Sequence, residues 1–247
     1  MNEDSALKIR NLVILLPVLT LLASCNVNQS IDVPANARWS GGSSTINGEI
    51  HVGAGAIVDG SLRTINGRIY VADGAHTGNL TTINGDIRLD DGVHAGDMQT
   101  VNGGIKLGKD TLAGKMATVN GDIIAGSGAS ISGNVGSVNG DMALCGAQLE
   151  GNLSFYNGSV LLTGGGVIHG NLTARKPTHD SEENSKVNIP VVIIGPHATV
   201  DGTITFERPG ELYVSDSAVI HSVEGVTAVK FQGPAPAGVP SPACPAN

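Results

Sequence analysis

The sequence predicts an all-β protein: a single-stranded, three-sided parallel β-helix, or β-solenoid, with about nine coils of 18–19 residues each. Three observations lead to this prediction. A Thr-Ile-Asn-Gly motif recurs at near-constant spacing, apolar and polar residues alternate after each copy, and the chain is rich in Gly (35 of 247 residues) but poor in aromatic residues (3%). Small and β-branched side chains between glycine turns suit narrow, tightly turning coils.

The repeat is easiest to follow through its asparagines. The motif is complete at 45–48, 64–67 and 82–85, becomes Thr-Val-Asn-Gly at 100–103 and 118–121, and drifts to Ser-Val-Asn-Gly at 137–140 and Phe-Tyr-Asn-Gly at 155–158. A fixed period of this length is the signature of a solenoid, in which each repeat is one structural unit stacked on the next. The seven asparagines, separated by 18 or 19 residues, are Asn47, Asn66, Asn84, Asn102, Asn120, Asn139 and Asn157.

Each coil is predicted to contain three short strands. The first follows the Asn-Gly pair and alternates in polarity, as in Ile50-His51-Val52, so that every second side chain faces the core. The third strand places Leu62 and Thr64 inward, and successive coils lie about 4.8 Å apart. The second strand is predicted to bury the residue two positions before a glycine, in the column Val58, His76, His94, Leu112, Ile131, Leu149 and Ile168.

The Asn-Gly pair is predicted to form a corner of the coil. The step from Thr100 to Ile105 is odd, so the alternation of inward and outward side chains slips once there. Such a slip needs Gly, or an Asn that tolerates left-handed geometry. Either the asparagines turn inward as an amide ladder, as stacked Asn does in cross-β packing, or the Ile or Val before them turns inward.

Residues 1–24 are predicted to be a lipoprotein signal peptide. Lys8 and Arg10 precede an apolar run at 11–22, which is too short to span a bilayer but has the length of a signal-peptide core. The run ends in Leu-Ala-Ser-Cys at 22–25, which resembles the lipobox of bacterial lipoproteins. The resemblance implies cleavage before Cys25 and lipidation of Cys25. It also favours the outer membrane, because Asn26 replaces the Asp of inner-membrane lipoproteins. The alternative is an ordinary secretory signal in which Cys25 is incidental.

The remaining boundaries follow from composition. We expect a lipidated Cys and polar tether at 25–40, regular solenoid coils at 41–174, an exposed loop excursion at 175–188 and further coils at 189–231. The Pro/Ala-rich stretch 232–247 is predicted to be a disordered tail, because proline lacks the backbone donor that a sheet needs. Residues 32–46, which include Trp39, are predicted to cap the first coil.

One family shares the pattern of the coils. The run Gly-Asp-Ile-Arg-Leu-Asp-Asp-Gly-Val-His-Ala-Gly-Asp-Met at 85–98 resembles the bactofilin, or polymer-forming cytoskeletal, β-helix. The resemblance covers roughly 43–174 and, more weakly, 189–231. It implies a right-handed β-helix that needs no nucleotide and assembles end to end. The chain departs from that family in its lipobox leader, since most bactofilins are cytoplasmic. A left-handed hexapeptide helix also uses 18 residues per coil, so the handedness stays open.

A column of acidic residues is the first candidate site. Asp86, Asp122 and Asp141 each follow an Asn-Gly pair, and the last two fall on adjacent coils roughly 5 Å apart. A carboxylate pair binds Ca²⁺ or serves acid–base hydrolysis of a polysaccharide. The simpler interpretation is a solvated outer face, because Arg68 and Gly104 interrupt the column.

Histidine and cysteine pairs are the other candidates. His76 and His94 share a column on adjacent coils, but no third metal ligand is evident, so packed or partly exposed histidines are expected. Cys145 lies in a turn and Cys244 in the tail, and an oxidising compartment would allow them to form a disulfide that pins the tail along the stack. The alternative is two free thiols.

Composition argues against one class of function, the binding of nucleic acid. A net charge of −8 with few aromatics provides neither the basic patch nor the stacking platform of nucleic-acid binding. We expect no catalytic residues, no cofactor and no metal. The expected function is that of a non-catalytic, membrane-anchored lipoprotein of the cell envelope, a structural scaffold that self-associates end to end or binds an envelope polymer or protein. The alternatives are an adhesin or glycan-binding module and, less favoured, a polysaccharide-degrading β-helix enzyme.

Overall fold

The computed structural model describes residues 25–176 and 189–244. The predicted signal peptide, and residues 177–188 of the predicted excursion, lie outside the described residues. The described ranges contain 29 short β-strands and no helix. The strands pair in parallel, so the protein is an all-β stack of coils, a β-solenoid of about 10 turns, as the sequence predicts.

Most strands have only two to five residues, because the coil then turns, while β26 has eight and β28 has six. In chain order they are β1 Cys25–Asn26, β2 Ile31–Val33, β3 Arg38–Trp39, β4 Ser43–Thr45, β5 Ile50–Val52, β6 Ile57–Val58, β7 Leu62–Thr64, β8 Ile69–Val71, β9 His76–Thr77, β10 Leu80–Thr81, β11 Ile87–Leu89, β12 Met98–Gln99, β13 Ile105–Leu107, β14 Leu112–Ala113, β15 Met116–Asn120, β16 Ile123–Ala125, β17 Ser130–Ile131, β18 Val135–Asn139, β19 Met142–Cys145, β20 Gln148–Leu149, β21 Leu153–Asn157, β22 Ser159–Thr163, β23 Val167–Ile168, β24 Leu172–Ala174, β25 Val191–Ile194, β26 Thr199–Phe206, β27 Glu211–Ser215, β28 Val219–Glu224 and β29 Ala228–Phe231.

The stack has three faces, which we number in the order the chain visits them. The first face is an 11-stranded sheet in the order β2-β5-β8-β11-β13-β16-β19-β22-β25-β27-β29. The second face contains β3-β6-β9 and then β14-β17-β20-β23, bridged through His94. The third face runs β1-β4-β7-β10-β12-β15-β18-β21-β24. Strand β26 turns the corner and joins the second and third faces into one 15-stranded sheet, to which β28 adds the last rung.

Like residues stack on like residues in the core, because parallel strands stay in register. Ile50 pairs with Ile69, and Leu62 pairs with Leu80. The inward residues of the first and third faces are almost fully excluded from solvent. They include Ile50, Ile69, Ile87, Ile105 and Ile123 on the first face, and Leu62, Leu80, Met98, Met116 and Leu153 on the third. Both columns confirm the alternation predicted from the sequence.

The column predicted on the second face is wrong in three coils. His76, His94 and Leu112 point outward and are exposed, while Val58 pairs with Thr77. Three residues separate Val58 from Leu62, but only two separate Thr77 from Leu80. The extra residue of the longer coil therefore lies after the strand. In these three coils, the residue two positions before the glycine is therefore the neighbour of the inward residue. Neighbouring residues of a strand face opposite sides, so the predicted inward residue faces outward.

The predicted tether at 25–40 is also wrong, because these residues form a coil. Ile31 and Val33 pair with Ile50 and Val52, and both are buried. Trp39 pairs with Val58 on the second face. Because the stretch lacks an Asn-Gly pair, the repeat motif does not predict this coil. With this coil, and with β29 at the other end, the first face has two rungs more than the nine predicted coils.

The predicted disordered tail is attached to the body at two positions. Residues 232–244 carry no strand, but Pro236 is buried and Cys244 forms a disulfide with Cys145. Cys145 and Phe231 belong to one column of the first face, linked through Thr163, Gly195 and Ser215. The tail must therefore run back over four rungs, roughly 19 Å at the spacing of paired strands.

Candidate functional site

The threonine of each motif is buried and bonded to the neighbouring coil. The Thr100 hydroxyl donates to the Gly85 carbonyl at 3.0 Å, and the Thr118 hydroxyl donates to the Gly103 carbonyl at 3.0 Å. Thr64 and Thr82 make the same bond to the glycine one coil earlier. Threonine fits this position because its methyl group packs in the core while its hydroxyl satisfies a corner carbonyl that would otherwise lack a donor.

The asparagines form a continuous ladder on the outer edge of the corner. Each side-chain amide donates to the Oδ1 of the asparagine one coil earlier, at 2.7–3.0 Å from Asn66 to Asn157. All but Asn157, which is half-buried, are exposed. The Ile, Val or Tyr before each is half-buried, so neither predicted inward arrangement occurs. The ladder begins one coil earlier than predicted, at Asn28, and ends where the Arg208 guanidinium donates to Asn157.

The glycine of the motif is required by the close approach of two coils. A Cβ atom on Gly103 would overlap the carbonyl oxygen of Gly85, and a Cβ on Gly121 would overlap the carbonyl oxygen of Gly103. These are the same oxygens that accept the threonine hydroxyls. The Thr-x-Asn-Gly motif therefore joins coil to coil, which explains its recurrence without a ligand.

The aspartates that follow Asn-Gly have a similar structural role. Asp86 Oδ1 accepts from the backbone N–H of Gly104 at 2.8 Å, and Asp122 Oδ1 accepts from that of Asp141 at 2.8 Å. Asp141 Oδ1 accepts from Ser159 in the next coil at 2.7 Å. The structure does stack Asp122 and Asp141 on adjacent coils. Each carboxylate is used to satisfy a backbone donor, an arrangement that suits a corner cap.

The two histidines of the second face form an exposed pair. The ring centroids of His76 and His94 lie 4.3 Å apart with the planes tilted by 49°. Within the described ranges, no group of three or more His, Cys, Asp or Glu side chains is placed to hold a metal ion. The pair offers two nitrogen ligands on an open surface.

A groove of about 630 Å³ crosses the outer side of the first face. Its lining carries both signs of charge, with the acidic residues Glu49, Asp86 and Asp122 and the basic residues Arg68, Arg88 and Lys106. An exposed salt bridge closes one end, where hydrogen bonds from His51 and Arg68 lower the pKa of the Glu49 carboxyl.

The groove also contains an aromatic side chain. The Tyr70 hydroxyl donates to Asp90, and this hydrogen bond raises the pKa of Tyr70. Asp90 also accepts from the Arg88 guanidinium at 3.3 Å. Tyr70 and Arg88 are therefore held in place, whereas the Lys106 ammonium has no hydrogen-bond or ion-pair partner among the described residues.

Exposed apolar side chains collect at the two ends of the stack. In the described part of the chain, the exposed large hydrophobic residues are Val27 and Trp39 in the first coil, Val219 and Val229 in the last, and Leu112 and Ile189 between them. Sequence reasoning missed both ends, because the repeat does not show which coil is the last. Trp39 lies in the inward column of Val58, whereas Val219 and Val229 lie in the outward columns of Thr199 and Tyr213.

No protein-family model matches the chain, and comparison with curated proteins and with solved structures also finds no match. No helix in the described ranges is long and apolar enough to cross a membrane. Geometry and sequence motifs are therefore the basis for a functional proposal.

Proposed function

We propose that the protein is a lipid-anchored structural scaffold of the bacterial cell envelope that assembles through the far end of its solenoid. The anchor is Cys25, which follows the lipobox-like Leu-Ala-Ser at 22–24, and Asn26, in place of the Asp of inner-membrane lipoproteins, favours the outer membrane. Described corner residues that resemble site residues, including the asparagines and aspartates, bind neighbouring coils instead. The body is then a rigid rod of roughly 45–50 Å, at about 4.8 Å for each of its ten turns.

The observation that carries this proposal is the open C-terminal coil. Strands β28 and β29 each pair with one strand below and none above within the described residues. Ile220 and Val223 belong to inward columns but are only partly buried, and Val219 and Val229 are 50% and 53% exposed. Unpaired strand edges beside exposed apolar side chains form a surface to which another chain can add.

Charges in the last coil favour a second copy as the partner. Lys230 occupies the inward column of Val214, where a charge opposes indiscriminate pairing of strand edges. Glu224 lies in the same coil, also exposed. Two copies related by a two-fold axis can place Lys230 of one beside Glu224 of the other, which neutralises the charge that the contact covers.

Light scattering over a concentration series tests the assembly. The protein would be the soluble body that begins at residue 26, and its mass should grow with concentration. Val223→Lys places a second charge in the end surface and should give a monomer. Leu112→Lys is the matched control, because Leu112 is 44% exposed but lies on the side of the stack. A native body that stays monomeric throughout would refute assembly through this end.

A second candidate function, the binding of an acidic glycan, is favoured by the groove on the first face. The unpartnered Lys106 ammonium and the fixed Arg88 guanidinium and Tyr70 ring supply charge and an apolar surface along one line. Calorimetric titration with acidic polysaccharides tests it, with Lys106→Glu as the variant. Equal or absent heats for both proteins would remove this candidate.

A further inference from the structure

We infer that the first coil itself is a membrane-contact surface, seated on the bilayer through Val27 and Trp39, with no flexible spacer between lipid and body. This inference rests on the proposed lipidation of Cys25 and adds to it the position of the body. The partner is a lipid surface that is recognised by apolar insertion.

The chain leaves no length for a spacer after the anchor. Cys25 is the first residue of β1 and pairs with Ser44, so the lipid-bearing residue is already a rung of the third face. Six residues later β2 begins on the first face, where Ile31 is buried. A lipid whose acyl chains enter a bilayer would therefore hold this coil within a few ångströms of the membrane surface.

Trp39 lies beside that attachment point. Its indole Nε1–H donates to the Ser43 hydroxyl at 3.2 Å, and Ser44, the next residue, pairs with Cys25. Adding the length of the Ser43 side chain, the step between neighbouring residues and the spacing between rungs puts the indole within roughly 14 Å of the Cys25 backbone. The only tryptophan of the chain therefore sits next to the proposed anchor.

Trp39 is exposed although it lies in an inward column. Trp39 shares the inward column of Val58, which is 3% exposed, yet Trp39 is 37% exposed because no coil of the described residues covers it from below. Val27, two residues after the anchor, is 57% exposed. Tryptophan is enriched where one side of the ring meets apolar chains and the N–H keeps a polar partner, which is the environment of a membrane interface.

The charge of this coil indicates the kind of lipid contact. Between 25 and 40 the charged side chains are Asp32 and Arg38, which cancel, and Arg38 faces Asp59 at 4.0 Å. The contact therefore does not depend on anionic headgroups, and it should form on neutral phosphatidylcholine and persist in high salt.

The experiment uses the mature lipidated protein reconstituted into phosphatidylcholine vesicles, with Trp39 fluorescence as the readout. Flotation of protein with vesicles reports the anchor, and quenching by lipids brominated on the acyl chain reports contact of the indole with the bilayer. We expect the emission of Trp39 to shift to the blue, strong quenching by bromolipid and a several-fold fall in quenching by aqueous iodide.

The matched control moves the reporter to the other end of the stack. The double variant Trp39→Phe, Val219→Trp should float equally well, while its indole stays open to iodide and is not quenched by bromolipid. If the protein floats but Trp39 behaves as this control does, the contact surface is refuted and the anchor stands. If the protein does not float, the anchor is refuted and the contact falls with it.

Discussion

Replacement of one corner glycine, Gly121→Ala, should destabilise the stack by about 2–4 kcal/mol. The new Cβ would overlap the Gly103 carbonyl oxygen, where ordinary contact needs about 3.5 Å. Forcing the coils apart costs about 1–3 kcal/mol as overpacking does in cores. The same carbonyl accepts the Thr118 hydroxyl, and weakening that hydrogen bond adds about 1 kcal/mol.

The assay for this prediction combines urea unfolding with amide hydrogen exchange. Exchange should accelerate most for 116–125, because stability in a stacked protein is local to neighbouring coils. Gly136→Ala is the control, since a Cβ there would lie 3.5 Å from its nearest neighbour, the Ser154 carbonyl oxygen. The reasoning is refuted if the two variants are equally stable.

Three further predictions concern the core, the threonines and the tail. Thr100→Val should cost about 1–3 kcal/mol in urea unfolding, because a buried carbonyl loses its donor, while Thr100→Ser should cost less; equal losses would contradict the hydrogen bond. Ile131→Ala should destabilise by about 2–5 kcal/mol and His94→Ala by no more than about 0.5 kcal/mol, and a loss at His94 as large as that at Ile131 would mean that His94 faces the core. Cys244→Ser opens a loop of 99 residues and should lower stability by up to about 4–5 kcal/mol, with faster proteolysis of the tail; an unchanged tail would mean that packing alone holds it.

Much of the fold follows from the sequence because register in a parallel stack is set by repetition. The period of the asparagines predicts where each coil begins. The alternation of apolar and polar residues predicts that Ile50 and Leu62 face the core, and both are buried. The second face was misread at His76 and His94, since a missing residue can lie on either side of a two-residue strand without changing the period. The pairing of Val58 with Thr77 shows that the residue is missing after the strand.

The features that bear on function depend on the ends of the stack, and the repeat carries little information there. The first coil has no Asn-Gly pair, so 25–40 looked like a polar tether, although Ile31 and Val33 continue the core columns. The chain also gives no local signal that Trp39 and Val223 lie in inward columns with one side open. Exposure at the ends is a property of the finished stack.

The most direct test of this account is the intact mass of the protein isolated from bacterial membranes. The proposed scaffold function and the proposed membrane contact both require a mature protein that begins at Cys25 and carries lipid on that residue. The account predicts a chain that lacks 1–24 and has the added mass of its acyl chains on the N-terminal residue, and it predicts that Cys25→Ser keeps its leader. An N-terminus at another residue, or an unmodified Cys25, would contradict it.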